Sequence, residues 1–110
     1  MISIYEYVIL SLVLLVIGIY GLSTSRNAVR MLMSVEIILN AANINLIVFT
    51  AFFYPEVYYG WVFVTFMIAL AAAEAAIGLA IFLALYHIYG TAELDLIHKL
   101  REEKVGGLVE

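Results

Sequence analysis

The chain has 110 residues, enough for one domain, and 66% of them are apolar, with a mean hydropathy of +1.11. Soluble domains use roughly 45–50% apolar residues, so this composition places the chain in a membrane rather than in water. The net charge of -4 says little about partners, since most of the acids lie near the ends or in a loop, though no nucleic-acid partner is expected; the absence of cysteine excludes disulfides, thiolate-bound zinc and thiolate-held iron–sulfur clusters.

The first apolar run predicts a membrane span over residues 5–24, with no charge between Glu6 and Arg26. No basic region precedes this run and no small-residue cleavage pattern follows closely, so it is expected to stay in the mature protein. Gly18 and Gly21 share one face, where missing side chains let another helix backbone approach. A polar turn follows, STSRNAVR, with Arg26 and Arg30 and no acid. Ser25 or Asn27 is placed to cap the next helix by accepting a hydrogen bond from its first-turn amides.

The second span is predicted over 28–53, carrying Arg30 near its start and Glu36 within it, and it ends ahead of Pro55. Proline lacks the amide donor and turns its predecessor away from helical angles, so the helix stops there. The connection YPEVYYG leads to a third span over 59–87, whose one charge is Glu74. Beyond it, HIYGTAELDLIHKLREEKVGGLVE is charged, with Leu94, Ile97 and Leu100 at helical spacing and Asp95 and Lys99 at i,i+4. This predicts a short amphipathic C-terminal helix, on the membrane surface or against a neighbouring subunit, followed by a frayed end. The reading is an all-α membrane protein, with a three-helix transmembrane domain over 1–90 and a charged tail over 91–110.

All five basic residues, Arg26, Arg30, Lys99, Arg101 and Lys104, fall in the first loop region or the tail. By the positive-inside rule the N-terminus is outside and the C-terminus cytoplasmic. His87 and His98 lie at or past the end of the last apolar run, so haem ligation inside the membrane is not expected, and the chain itself should handle no electrons.

The chemistry then falls to two carboxylates. A charged side chain near the bilayer centre costs about 2.5–3.5 kcal/mol on insertion scales, so Glu74 needs a reason to be there. Glu36 lies about 7 Å to the inner side of its helix midpoint, at similar depth. At 100° per residue, Asn40, Asn43 and Thr50 all fall within about 40° of Glu36, a polar stripe expected to turn inward. Asn45 points the opposite way, toward a different neighbour. The two carboxylates are expected to face each other or to flank one hydrated cavity. Removal from water disfavours the charged carboxylate, whereas water, an amide or a cation favours it. A glutamate poised between these influences can take up a proton on one side and release it on another. The alternative is structural, with protonated glutamates hydrogen-bonded to neighbours and asparagines acting as interhelical glue. The alanines around Glu74 make the third helix thin on almost every side, fit to be surrounded by protein.

The stretches SRNAVRMLMSVEIILNAANINLIVF and FMIALAAAEAAIGLAIFLALY resemble subunit K, or 4L, of the proton-pumping NADH–quinone oxidoreductase, complex I. IGIYGL followed by TSRN is most similar to the chloroplast and cyanobacterial type. The resemblance implies three membrane helices in the membrane arm, beside J-, A- and N-type subunits. It also implies two essential glutamates, matching Glu36 and Glu74, in a hydrated axis that couples quinone reduction to proton movement. Quinone, flavin and iron–sulfur clusters then belong to other subunits, with no cofactor on this chain, and the home is a prokaryotic plasma membrane or a thylakoid-type membrane. Arg26 matches a family arginine, and Ser25 stands where some members have a second. The small subunit of multisubunit cation/proton antiporters and membrane-bound hydrogenases has a similar three-helix shape but typically lacks the glutamate pair. Rotor rings use two helices and small multidrug exporters four, so three spans disfavour both.

Overall fold

Each apolar run folds as one uninterrupted helix, because in lipid a helix satisfies its own backbone amides and carbonyls. In the computed structural model, which describes residues 2–109, α1 is Ile4–Thr24, α2 is Ala28–Phe53, α3 is Tyr58–Tyr89 and α4 is Leu94–Val109. The first three are long and apolar enough to cross a membrane. At 32 residues α3 is about 48 Å long, more than the roughly 30 Å of a hydrocarbon core, so it tilts or protrudes.

The helix ends have local causes. Asn27 caps α2, its Oδ1 accepting from the amides of Val29 at 3.0 Å and Arg30 at 3.3 Å. Ser25 takes no part in this cap. α2 stops at Phe53, and Tyr54, just ahead of Pro55, leaves helical angles with φ -135° and ψ 53°. α3 runs on to Tyr89 and ends at Gly90, which adopts φ 73° and donates its amide to the Tyr86 carbonyl at 2.7 Å. A left-handed cap of this kind is where a helix turns off, and glycine occupies it without steric cost.

α2 is the middle of a layer: α1 packs along one side of it and α3 along another, and the molecule measures 67 × 25 × 18 Å. Small residues make both seams. A Cβ on Gly18 would lie 2.5 Å from Ile38 Cγ1 and 3.0 Å from the Ser34 carbonyl, so α1 seats against α2 only with glycine there. Ser11, Gly18, Ala28, Ser34 and Ala41 are buried, while most of the large hydrophobic side chains point outward. That pattern inverts a soluble core and suits a chain whose outer faces meet lipid or other membrane subunits.

The tail departs from expectation in two ways. Asp95 pairs with Arg26 across the first loop, at 3.3 Å, and not with Lys99; the i,i+4 pair of α4 is His98 with Glu102 at 3.2 Å. The chain returns to the first loop after α3, so the nearest base to Asp95 is a long-range one. Asn27 and Glu93 form an antiparallel bridge: Ala28 donates its amide to Ala92 at 2.9 Å, and Leu94 donates to Arg26 at 3.1 Å. In place of a frayed end, α4 continues through Gly106 and Gly107 to Val109. The Lys104 ammonium sits 5.1 Å from the centre of the Tyr89 ring, a cation–π contact between α4 and the end of α3.

Candidate functional site: two carboxylates on one helix seam

The register of α2 against α3 is set where side chains are missing. Thr50 occupies the space a Gly60 side chain would need, and Leu32 Cδ1 would lie 3.2 Å from a Cβ on Gly78. In the antiparallel pair these two contacts bring residue 74 level with residue 36. Glu36 and Glu74 therefore stand at the same height on adjacent helices.

They do not share a cavity. Half-buried Glu36 lines a cleft of about 300 Å³ with Leu32 and Met33 of α2 and Ala75, Ala76 and Leu79 of α3. Glu74, exposed in the single chain, lines another of about 210 Å³ with Leu39, Asn43, Met67, Leu70 and Ala71. The two clefts have no residue in common. The expectation of a single hydrated cavity within the chain is corrected, and helix rotation is the reason. Each carboxylate is about 40° off the line joining Leu32 and Thr50 to Gly78 and Gly60, on opposite sides of the seam.

The polar stripe of α2 splits for the same reason. Asn43 is 8% exposed and lies on the seam, in the cleft of Glu74, not with Glu36. Thr50 is also buried, but its part is packing against Gly60. Asn40 remains exposed, turned past the seam on the Glu36 side, so the stripe does not turn inward as a unit. Among the described residues, neither carboxylate makes an ion pair within the chain.

Asn45 points the other way, as its position predicts, and meets α1: the Ser11 hydroxyl lies 2.7 Å from Asn45 Oδ1 and 2.9 Å from the Val8 carbonyl. A hydroxyl has one proton, so when Val8 receives it the Asn45 amide, turned over, donates in return. Sequence carried no expectation for Ser11, the most buried polar residue here at 1% exposure. Its signal was a serine in the middle of an apolar helix, with an asparagine on the next helix to meet. The Ser11 and Asn45 pair lines a cleft of about 180 Å³ that shares Ala42 with the Glu74 cleft.

The loop arginines stand apart from the carboxylates. Arg26 is exposed and holds Asp95, and Arg30 lies six residues before Glu36, about 9 Å along the helix. Among the described residues no group of three or more metal-ligating side chains comes together. What the site offers is two proton-accepting oxygens pairs in apolar surroundings, with one buried amide beside the second.

The sequence pattern of the family described as NADH-ubiquinone/plastoquinone oxidoreductase chain 4L matches residues 6–102, a span that contains both glutamates. The NAD(P)H-quinone oxidoreductase subunit 4L of Synechocystis sp. is 52% identical over 93 residues, covering 84% of this chain and 90% of that protein. The subunit of the same name from Leptolyngbya boryana is 46% identical over 95 residues, 86% of this chain and 94% of that one. The NADH-quinone oxidoreductase subunit K of Brevibacillus brevis is 45% identical over 101 residues, 91% of this chain and 97% of that one.

Proposed function

The chain belongs to the chain 4L family of NADH-ubiquinone/plastoquinone oxidoreductases, and from that premise we propose that it relays protons through Glu36 and Glu74. It is a membrane-arm subunit of a proton-pumping quinone oxidoreductase, a multi-pass protein of a plasma or thylakoid membrane. The observation that carries the relay is the placement of two membrane-embedded carboxylates at one height on opposite sides of one helix pair, each in its own cleft.

Such a pair conducts across the layer. A proton held by Glu36 on one flank moves over the α2–α3 seam to Glu74 on the other, with the Asn43 amide beside the receiving carboxylate to orient it or an intervening water. The seam is thin here, lined by Ala71, Ala75 and Gly78. Charges act strongly on one another in a low-dielectric membrane, so a charge brought close on either flank biases which glutamate holds the proton. Opening on opposite flanks, the two carboxylates address different neighbours, which we assign to J-, A- and N-type subunits. Those and other subunits carry the quinone site, flavin and iron–sulfur clusters. The first loop and the tail lie on the cytoplasmic side, Arg26 and Arg30 among them, and the division into a membrane domain over 1–90 and a tail over 91–110 follows.

The test is proton pumping and assembly in membrane vesicles from Glu36→Gln and Glu74→Gln strains, taken separately. The amide keeps the shape and removes the titratable proton. The complex should assemble in normal amount while coupled turnover falls about a hundredfold or more, within the range for loss of a positioned acid or base. Normal pumping in either strain contradicts the relay. Disappearance of the complex assigns the carboxylates to assembly instead.

A further inference from the structure

At the end of the layer that holds the first loop, α1 and α2 diverge around a cleft of about 280 Å³. Its chemistry is graded. Toward the loop it is lined by Arg30 and the hydroxyl residues Thr24 and Ser25; deeper, by Met33 and Ile37, with Gly21 at its floor. A Cβ on Gly21 would lie 2.5 Å from the Ser34 hydroxyl, so the floor has no room for a side chain of its own.

The positive end of this cleft is not spent on any described residue. Among the described residues the ion pairs are Arg26 with Asp95 and His98 with Glu102, and neither involves Arg30. The start of α2 adds nothing for an anion. Its amides are taken, that of Ala28 by the Ala92 carbonyl and those of Val29 and Arg30 by the Asn27 side chain. Thr24 donates its hydroxyl to the Tyr20 carbonyl at 2.8 Å, whereas the Ser25 hydroxyl reaches the Asn27 carbonyl only at 3.3 Å and is readily redirected. The anion-binding capacity is thus the Arg30 fork with one hydroxyl beside it, a donor set that suits the oxygens of a phosphodiester.

Depth chooses the source of that phosphodiester. Arg30 is three residues into a membrane-spanning helix, where lipid headgroups meet the hydrocarbon, and the apolar part of the cleft runs from there toward the bilayer interior. A free phosphate would leave Met33 and Ile37 uncovered. We propose that this cleft is a site for one anionic phospholipid, its phosphodiester held by Arg30 and Ser25 and the start of one acyl chain lying over Met33 and Ile37.

The experiment uses the assembled complex in membranes and a phosphatidylglycerol analogue with a photoactivatable diazirine early in one acyl chain, the label being mapped by peptide mass spectrometry. Label should fall on the segment containing Met33 and Ile37 and be competed by unlabelled phosphatidylglycerol, but not by phosphatidylcholine or inorganic phosphate. Arg30→Gln should lower it at least fivefold, and Arg30→Lys should restore part of it. Ile37→Trp, which fills the apolar half at a position that lines this cleft and not that of Glu36, should also remove it, so the test stands if the charge variant fails to assemble. Undiminished labelling in Arg30→Gln, or no label on this segment in the unaltered complex, overturns the proposal. Equal competition by phosphatidylcholine overturns its anionic preference, and competition by inorganic phosphate overturns its lipid part.

Discussion

The two seams of α2 are both built on small residues and end up with different chemistry. Against α1 the packing is closed, with Gly18 tight on Ile38 and Ser34, and its buried polar pair, Ser11 with Asn45, satisfied within the chain. Against α3 Asn43 and Thr50 are buried, while the two carboxylates stand one on each rim with no ion pair among the described residues. The first seam is complete as folded, so altering it should change how much protein there is. The second is finished only by what lies beside it, so altering it should change what the protein does.

The sharpest test of that division is on the second seam, where Glu74→Gln, like Glu36→Gln, should cost about a hundredfold or more in coupled turnover at normal assembly. Asn43→Leu should come next, with a loss of severalfold. Because Asn43 shares a cleft with Glu74 and not with Glu36, its effect should be largely absorbed in a double variant with Glu74→Gln and nearly multiply with that of Glu36→Gln. Equal coupling to both would return Asn43 to a single stripe with Glu36. On the first seam, Gly18→Val forces a branched side chain against Ile38 and the Ser34 carbonyl. Overpacking of this kind costs about 1–3 kcal/mol, so native gels should show severalfold less complex, with normal turnover per complex assembled. Ser11→Ala should be milder, about 0.6 kcal/mol by the average for hydrogen bonds between membrane helices, read as a small drop in melting temperature of the solubilised complex. Smallest of all is Asp95→Asn. Its partner Arg26 is well exposed and such pairs contribute about 0–1 kcal/mol, so assembly and turnover should stay near normal.

The same contrast explains how far the fold could be read from residues alone. Helix ends were legible because their causes are local: Asn27 reaches amides two and three residues on, and Pro55 acts on the residue before it. The two glutamates were legible because a charge in an apolar run stands out against its own surroundings. The partner of Asn43 was not, since a rotation of about 40° decides it and the seam line is drawn by Gly60 and Gly78 on another helix. Nor was the partner of Asp95, which lies 69 positions back at Arg26 and is met only because the chain returns there. Local spacing favoured Lys99 and tertiary structure overrode it.

That return of the chain has a consequence in time. Ala28 is 0% exposed, and among the described residues its amide is taken by the Ala92 carbonyl. A ribosome delivers Ala28 long before Ala92, so the first turn of α2 waits, with its donor provisional, until α3 has crossed the membrane and re-emerged. The earliest loop to be made is therefore among the last parts to be finished. A chain halted short of Ala92 would keep all three spans and still leave that amide without its protein acceptor, at the very junction where α1 hands over to α2.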